Sequence, residues 1–325
     1  HSGSAINRRG NHLPTTADDL AIDALEQAAI MGATAACSTT AAVARESRIS
    51  FPLDRPIETT PLGIPQVPAG HITPPPANGP VLFVGRLESL KGVDTLTLAA
   101  NAFLKECPGA TLEFVGPDTN TAPAANGGGA HTSGSTGASM RSWIEGTLDP
   151  ALLPRVHFTG ELPPNAVAER IRAARFLCLP SKFENFSNVA AQALSLSRTA
   201  IVSATTGLEE VFGSAGIPFE KSNPAALAAA LTNLWQSPAK IHTLSAAALT
   251  RAQTIFNPTT IAHQRTAFYE NALRAKTPMN NEPSKTNNPL LTPLISLAHA
   301  LTNTLLPSAP LTPGTRLATL LAALS

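Results

Sequence analysis

Short apolar segments that alternate with helix-forming stretches constrain the fold of this chain more than any other feature. From residue 81 onward five such segments read VLFV, LEFV, VHFT, FLCLP and AIVS, and they begin at Val81, Leu112, Val156, Phe176 and Ala200. Between and after them the pattern predicts helices at residues 93–105, 140–148 and 165–174, from Asn188, and beyond Pro224. The alternation indicates right-handed crossovers and a doubly wound parallel sheet that helices cover on both faces, which is an α/β fold.

The remaining segments suggest how the chain is divided. Residues 20–45 predict one helix, and the proline-rich segment 71–80 suits a linker, so we place a domain boundary after residue 77. A domain of residues 78–256 follows, in which the low-complexity segment 118–138 is expected to be a mobile insertion. We assign residues 257–275 to a closing helix and 276–325 to a Pro/Leu-rich tail.

Composition excludes several classes of partner and site. Charged residues make up 14% of the chain, the net charge is +1, and no dense Lys/Arg stripe occurs, so we expect no nucleic-acid partner. The three cysteines lack C-x-x-C spacing and the eight histidines lack H-E-x-x-H spacing, which predicts neither a disulfide framework nor a metal site. The sequence contains no run of eighteen apolar residues, so we expect no membrane-spanning helix. We therefore expect a cytoplasmic protein, with peripheral association at the inner membrane face left open.

The loop after the first strand of the domain is the first candidate site. In parallel sheets ligands bind beyond the carboxyl ends of the strands, and here the sequence reads GRLESLKG, from Gly85 to Gly92. Arg86 and Lys91 could neutralise a diphosphate near a helix N-terminus. A pair of solvated surface cations explains the same residues equally well.

A second candidate follows the segment FLCLP and reads SKFENFSNV before a helix. Glu184 could cap the free N–H groups of that helix, or it could accept hydrogen bonds from sugar hydroxyls while the same N–H groups hold a phosphate. Gln192 lies two helical turns later on about the same face, so both side chains could meet one elongated ligand.

A third candidate is TTGLEEV, after the segment AIVS, where Gly207 would let the backbone approach a ligand closely. A simple turn is an equal alternative. No Gly-x-Gly-x-x-Gly follows a predicted strand and no Gly-x-Ser-x-Gly elbow occurs, which disfavours an NAD-dependent enzyme and a hydrolase.

In this order, GRLESLKG, VHFTGEL, PSKFENFSNVAAQAL and TTGLEEVF resemble the donor-binding domain of the group 1, glycogen-synthase-like (family 4) retaining glycosyltransferases, which have the GT-B fold. The resemblance covers residues 81 to about 237. Residues 23–65 resemble the end of that family's acceptor-binding domain, so residues 1–77 are interpreted as a truncated remnant of it plus a linker.

The resemblance implies a role for each candidate residue. Arg86 and Lys91 would bind the diphosphate of a UDP- or GDP-linked sugar beside Gly85, and Glu184 would face the donor sugar. Backbone amides would hold phosphate or sugar at Asn185, Phe186, Ser187, Asn188 and Val189, with Gly207 nearby. The resemblance implies no cofactor and no catalytic metal, and it leaves the acceptor open as a glycan, a lipid or a small molecule.

The sequence departs from the family pattern at the second glutamate of E-x7-E, which is Gln192 here, at LSLSRTA in place of a Gly after the helix, and at Thr206 in place of the first paired Gly. An amide offers one acceptor oxygen where a carboxylate offers two, which predicts weaker binding of the nucleotide ribose. We therefore carry two hypotheses: a hexosyltransferase, and a nucleotide- or sugar-binding module without turnover.

Overall fold

The computed structural model describes residues 8, 11, 13–50, 53, 55–123 and 138–274. These residues all belong to one compact unit that ends at Ala275. The predicted tail at 276–325 and the middle of the predicted insertion, residues 124–137, lie outside the described residues.

A parallel six-stranded sheet forms the centre of the unit. The strands of the described chain are Ala36–Ser38 (β1), Ile57–Thr59 (β2), Val81–Val84 (β3), Leu112–Val115 (β4), Val156–Gly160 (β5), Phe176–Leu179 (β6), Ala200–Ser203 (β7) and Gly216–Phe219 (β8). The six-stranded sheet has the order β5-β4-β3-β6-β7-β8, and all its neighbours are parallel. The predicted doubly wound α/β fold is confirmed. The strand β8 was not predicted, because Gly216 and Pro218 are residues typical of turns and disfavour a strand prediction.

Helices cover the sheet on both faces. They are Ala17–Gly32 (α1), Ala41–Ser50 (α2), Val93–Glu106 (α3), Met140–Thr147 (α4), Pro164–Ala173 (α5), Asn188–Ser195 (α6), Gly207–Phe212 (α7), Pro224–Trp235 (α8), Pro238–Thr254 (α9) and Pro258–Arg274 (α10). Side chains alternate along β3, since Val81 and Phe83 enter one core with α3, α4 and α8. Leu82 enters the other core, with α5, α6, α7 and the second half of α9. None of the described helices is long and apolar enough to cross a membrane.

The predicted single helix at residues 20–45 is wrong. The helix α1 ends at Gly32, where Ala33 takes an extended conformation, and a strand intervenes before α2 begins. That strand, β1, pairs in parallel with β2, with Cys37 opposite Glu58. Local apolar content favoured a helix here, but a pairing partner some twenty residues away decided the structure.

Arg198, whose side chain is fully buried, connects the predicted linker at residues 71–80 to the rest of the unit by hydrogen bonds. Its guanidinium donates to the carbonyl oxygens of Thr73 at 2.7 Å, Arg172 at 2.5 Å and Ala174 at 3.1 Å. Burial, and secondarily the charge of Arg172, lowers the pKa of Arg198 to about 10. The boundary that we predict after residue 77 therefore falls inside one compact unit.

The ends of the predicted insertion at 118–138 are held in place. Asp118 accepts a hydrogen bond from the N–H of Arg141 at 3.0 Å, and Thr119 Oγ1 donates to the carbonyl of Leu87 at 2.5 Å. The N–H of Ala122 donates to the carbonyl of Ala138 at 3.3 Å. These end residues are thus hydrogen-bonded to the rest of the unit, and the expectation of a mobile segment stays a prediction.

Candidate functional site

The centre of the sheet brings the first two candidate loops together, and the third contributes one residue, Leu208, beside them. The strands β3 and β6 are neighbours, and the chain winds away from them in opposite directions, so a crevice opens at their carboxyl ends. A cavity of about 260 Å³ lies there. Its lining contains Phe83, Val84, Gly85, Lys91, Leu179, Ser181, Glu184, Phe186, Ser187, Asn188, Val189 and Leu208. Seven of the eleven predicted site residues are in this lining, namely Gly85, Lys91, Glu184, Phe186, Ser187, Asn188 and Val189.

A glycine allows the loops after β3 and β6 to touch. Gly92 has φ +72°, in the left-handed region, and a Cβ there would lie 1.9 Å from the carbonyl oxygen of Pro180. The N–H of Lys182 also donates to the carbonyl of Leu90 at 2.9 Å. The two loops therefore share one wall of the cavity, as only a residue without a side chain permits.

Lys91 and Glu184 form an ion pair in the lining of the cavity. Lys91 Nζ donates to Glu184 Oε2 at 2.7 Å, and the Oγ of Ser181 donates to the same oxygen at 3.4 Å. The two side chains are 25% and 15% exposed. A half-buried cation and carboxylate can exchange partners with an anionic ligand that carries hydroxyl groups, because the phosphate takes the ammonium and the hydroxyls take the carboxylate.

The N-terminus of α6 opens into the same cavity. Ser187 is the N-cap and its Oγ accepts from the N–H of Ala190 at 3.3 Å, so the alternative in which Glu184 caps this helix is wrong. The N–H groups of Asn188 and Val189 have no hydrogen-bond partner within the described part of the chain. Free N–H groups at a helix N-terminus attract anions.

Arg86 lies outside this cavity. Its guanidinium Nη2 is 2.9 Å from Glu88 Oε1, and the side chain is 53% exposed. The predicted contact of Arg86 with a diphosphate thus stays a prediction.

Asn185 and Gly207 do not line the cavity either. Thr39 Oγ1 donates to the side-chain oxygen of Asn185, and Thr40 Oγ1 donates to its carbonyl at 3.5 Å. A Cβ on Gly207 would lie 2.0 Å from the carbonyl oxygen of Asn185, and the N–H of Gly207 donates to the carbonyl of Glu184 at 3.1 Å. The close approach predicted at Gly207 is therefore to the protein's own backbone, and its effect is to fix the loop that carries Glu184.

Gln192 lines a neighbouring cavity of about 410 Å³. Phe186 and Asn188 contribute to both cavities, while Gln192 and Arg172 contribute only to the second of the two. The side-chain amide of Gln192 has no hydrogen-bond partner among the residues that the structure describes. The seven-residue spacing thus puts Glu184 and Gln192 in two adjacent cavities, so a ligand would have to bridge them to meet both.

Sequence reasoning missed the N-terminal residues that contact the site loops. The N–H groups of Ala41 and Ala42, at the start of α2, donate to the carboxylate of Glu210 at 2.7 and 2.5 Å. The side-chain oxygen of Asn11 accepts from the N–H of Leu90 at 2.9 Å. These partners are 79 to 169 residues apart, and no local pattern signals such pairs.

Among the described residues no group of three or more His, Cys, Asp or Glu side chains is placed to hold a metal ion.

Comparison with known proteins finds a family match over the residues that carry these loops. Residues 79–237 match the family of glycosyl transferases group 1. The D-inositol 3-phosphate glycosyltransferase of Thermomonospora curvata is 30% identical over 177 residues, 54% of this chain and 39% of that protein. The glycogen synthase of Mycobacterium tuberculosis is 28% identical over 209 residues, 62% of this chain and 45% of that protein. The chain thus spans less than half the length of these relatives.

Solved structures show the same fold at low identity. Sucrose-phosphate synthase from Thermosynechococcus elongatus superposes with a TM-score of 0.61 at 23% identity, over 85% of this chain and 67% of that one. Anabaena HepE, solved in complex with UDP and glucose, gives a TM-score of 0.61 at 15% identity, over 77% of this chain and 67% of that one. Residues 79–237 are thus similar to the glycosyl transferases group 1 family, and the described unit shares the GT-B type of α/β fold with these structures.

Proposed function

We propose that this chain binds a nucleoside diphosphate sugar and takes part in transferring a hexosyl unit from it to an acceptor, with retention at the anomeric carbon. The supporting observation is the cavity in which Lys91, Glu184 and the free N–H groups of Asn188 and Val189 meet, at the crevice of a group 1 glycosyltransferase domain.

The donor would occupy this cavity through its diphosphate and sugar. Lys91 would leave Glu184 and bind the diphosphate, whose charge grows as the glycosidic bond breaks, and the N–H groups at the start of α6 would bind the same phosphates. Glu184 would then be free to accept hydrogen bonds from the sugar hydroxyls. Arg86 would supply a second cation once it leaves Glu88, and Gln192 would meet the ribose in the adjacent cavity.

UDP or GDP is the proposed nucleotide, and the UDP held by the Anabaena relative supports UDP. The acceptor is a glycan, a lipid or a small molecule. We propose a cytoplasmic site of action, which three free thiols support because reducing compartments preserve them, and contact with the inner membrane face is compatible with a lipid acceptor.

A nucleotide-binding module without turnover is the second candidate, and the amide at Gln192 favours it. The two candidates differ in one observable. An enzyme releases UDP from UDP-glucose, or GDP from GDP-mannose, faster when an acceptor is added, whereas a module binds the donor and leaves it intact.

Calorimetric titration with UDP, GDP and ADP tests the donor site directly. We expect one nucleotide to bind, and Lys91→Met to weaken its binding by about tenfold to a hundredfold, because a charge-assisted contact is lost. Lys105→Met is the matched control, since Lys105 also forms a 2.9 Å ion pair, with Asp149, but lies outside the cavity. The proposed donor site is wrong if the folded chain binds none of the three, or if both variants bind like the unmodified chain.

A further inference from the structure

A buried carboxylate in the first site loop makes no contact with the proposed donor cavity. Glu88 lies between Arg86 and Lys91 in sequence, and its side chain is only 3% exposed. Asn11 Nδ2 donates to its Oε2 at 3.2 Å. Its Oε1 lies 2.9 Å from the guanidinium of Arg86, yet it receives no properly directed hydrogen bond from any described residue. Asn11 therefore fixes the Oε2 atom of Glu88, whereas the Oε1 atom attracts Arg86 by its charge alone.

Arg86 is the exposed partner of this pair. Its side chain is 53% exposed, so solvent screening leaves the ion pair weak. The residue before it, Gly85, lines the donor cavity. The guanidinium of Arg86 cannot bind a diphosphate and Glu88 at the same time. A bidentate contact with phosphate is stronger than an ion pair without directed hydrogen bonds.

We propose that Glu88 is an affinity-determining residue, which competes with the donor diphosphate for Arg86 and so weakens donor binding without touching the donor. The proposal rests on the donor site proposed above. It accounts for a buried carboxylate in the same loop as Gly85 and Lys91, which line the cavity. Removing the carboxylate frees Arg86, so donor affinity rises only where Arg86 is present.

A double-mutant cycle on the full 325-residue chain tests this, with UDP affinity measured by calorimetry. We expect Glu88→Gln to tighten UDP binding about threefold to fivefold, and to change it by less than about 1.5-fold in the Arg86→Ala background. Simple repulsion between Glu88 and the diphosphate would give equal gains in both backgrounds, and that result would overturn the proposal.

Glu113→Gln is the matched control. Glu113 is also a buried carboxylate, 9% exposed, beside a half-exposed arginine, with Arg170 Nε at 3.4 Å from its Oε1. It lines neither of the two cavities, so UDP affinity should not change. Should Glu88→Gln fail to fold, Glu88→Asp keeps the charge but withdraws it from Arg86 by one methylene, and the same Arg86-dependent gain is expected.

The two proposals fail in distinguishable ways. Absence of UDP and GDP binding in the unmodified chain and in every folded variant would refute the donor site, and this inference with it. UDP binding with unchanged or weaker affinity in Glu88→Gln would refute the role of Glu88 alone.

Discussion

Both cations of the first site loop are held by carboxylates. Lys91 binds Glu184 in the lining of the cavity, and Arg86 contacts Glu88 outside it. Half-buried ion pairs lose part of their Coulomb energy to desolvation, so a diphosphate with several negative oxygens can displace either carboxylate. At the scale of single residues, ligand binding is thus an exchange of partners. The phosphates of the ligand replace the carboxylates that pair with Lys91 and Arg86 in the unbound protein.

Gln192 gives a second test at the residue scale. If the ribose enters the adjacent cavity, Gln192→Glu adds an acceptor oxygen and a charge, and we expect UDP binding to tighten by about 1–2 kcal/mol, near tenfold. Gln253→Glu, on the exposed surface of α9, is the control and should leave affinity unchanged. Calorimetry measures both. Equal affinities for Gln192→Glu and the unmodified chain would refute the assignment of the ribose to position 192.

At the scale of elements, the site depends on how closely two strand–loop–helix units approach. The loop between β3 and α3 touches the loop between β6 and α6 at Gly92, and α7 begins against the second loop at Gly207. The carboxylate of Glu210, on α7, caps the N-terminus of α2. At Gly92 and Gly207 the loops contact each other through their backbones, with no side chain between them. A small displacement of one loop therefore moves the residues that line the cavity.

Gly92→Ala should separate these two loops. The substitution places a methyl group 1.9 Å from a carbonyl oxygen and forces a left-handed conformation on alanine, so we expect a loss of about 3 kcal/mol in the free energy of unfolding. Urea denaturation measures it. Gly146→Ala is the control, because a Cβ there meets nothing within 4 Å and the residue lies in α4, so stability should rise slightly. Similar stability of both variants would contradict the close approach of the two loops at Gly92.

At the scale of the whole molecule, one sheet separates two cores, and the N-terminal residues pack on the same compact unit. Cys107 and Cys178 are buried in one of these cores, whereas Cys37 is exposed on β1. Burial raises the pKa of both core thiols. A buried thiol with a raised pKa supplies little thiolate, which is the form that reacts.

Thiol reactivity therefore reports on the integrity of the unit. At pH 8 we expect Cys37 to react with Ellman's reagent, and Cys107 and Cys178 to react only when denaturant unfolds the chain. Cys37→Ser is the control that should remove the native signal. Fast labelling of Cys107 or Cys178 in the native chain would show that the core around β6 opens, contrary to the packing described.

The sequence by itself determined the alternating strands and helices from β3 to β7, because apolar period and helix caps are local properties. The sequence motifs also singled out the two loops that supply most of the cavity lining, whereas the strand order that brings their ends together belongs to the tertiary structure. Tertiary structure alone decided that Arg86 turns to Glu88, that Gln192 faces a second cavity and that Gly207 contacts Asn185. Glu88 is only two residues from Arg86, but its own direction depends on Asn11, 77 residues away, and the approach at Gly207 depends on a loop that precedes β7. For the same reason the contacts of Asn11, Thr39 and Glu210 could not be read from any local pattern.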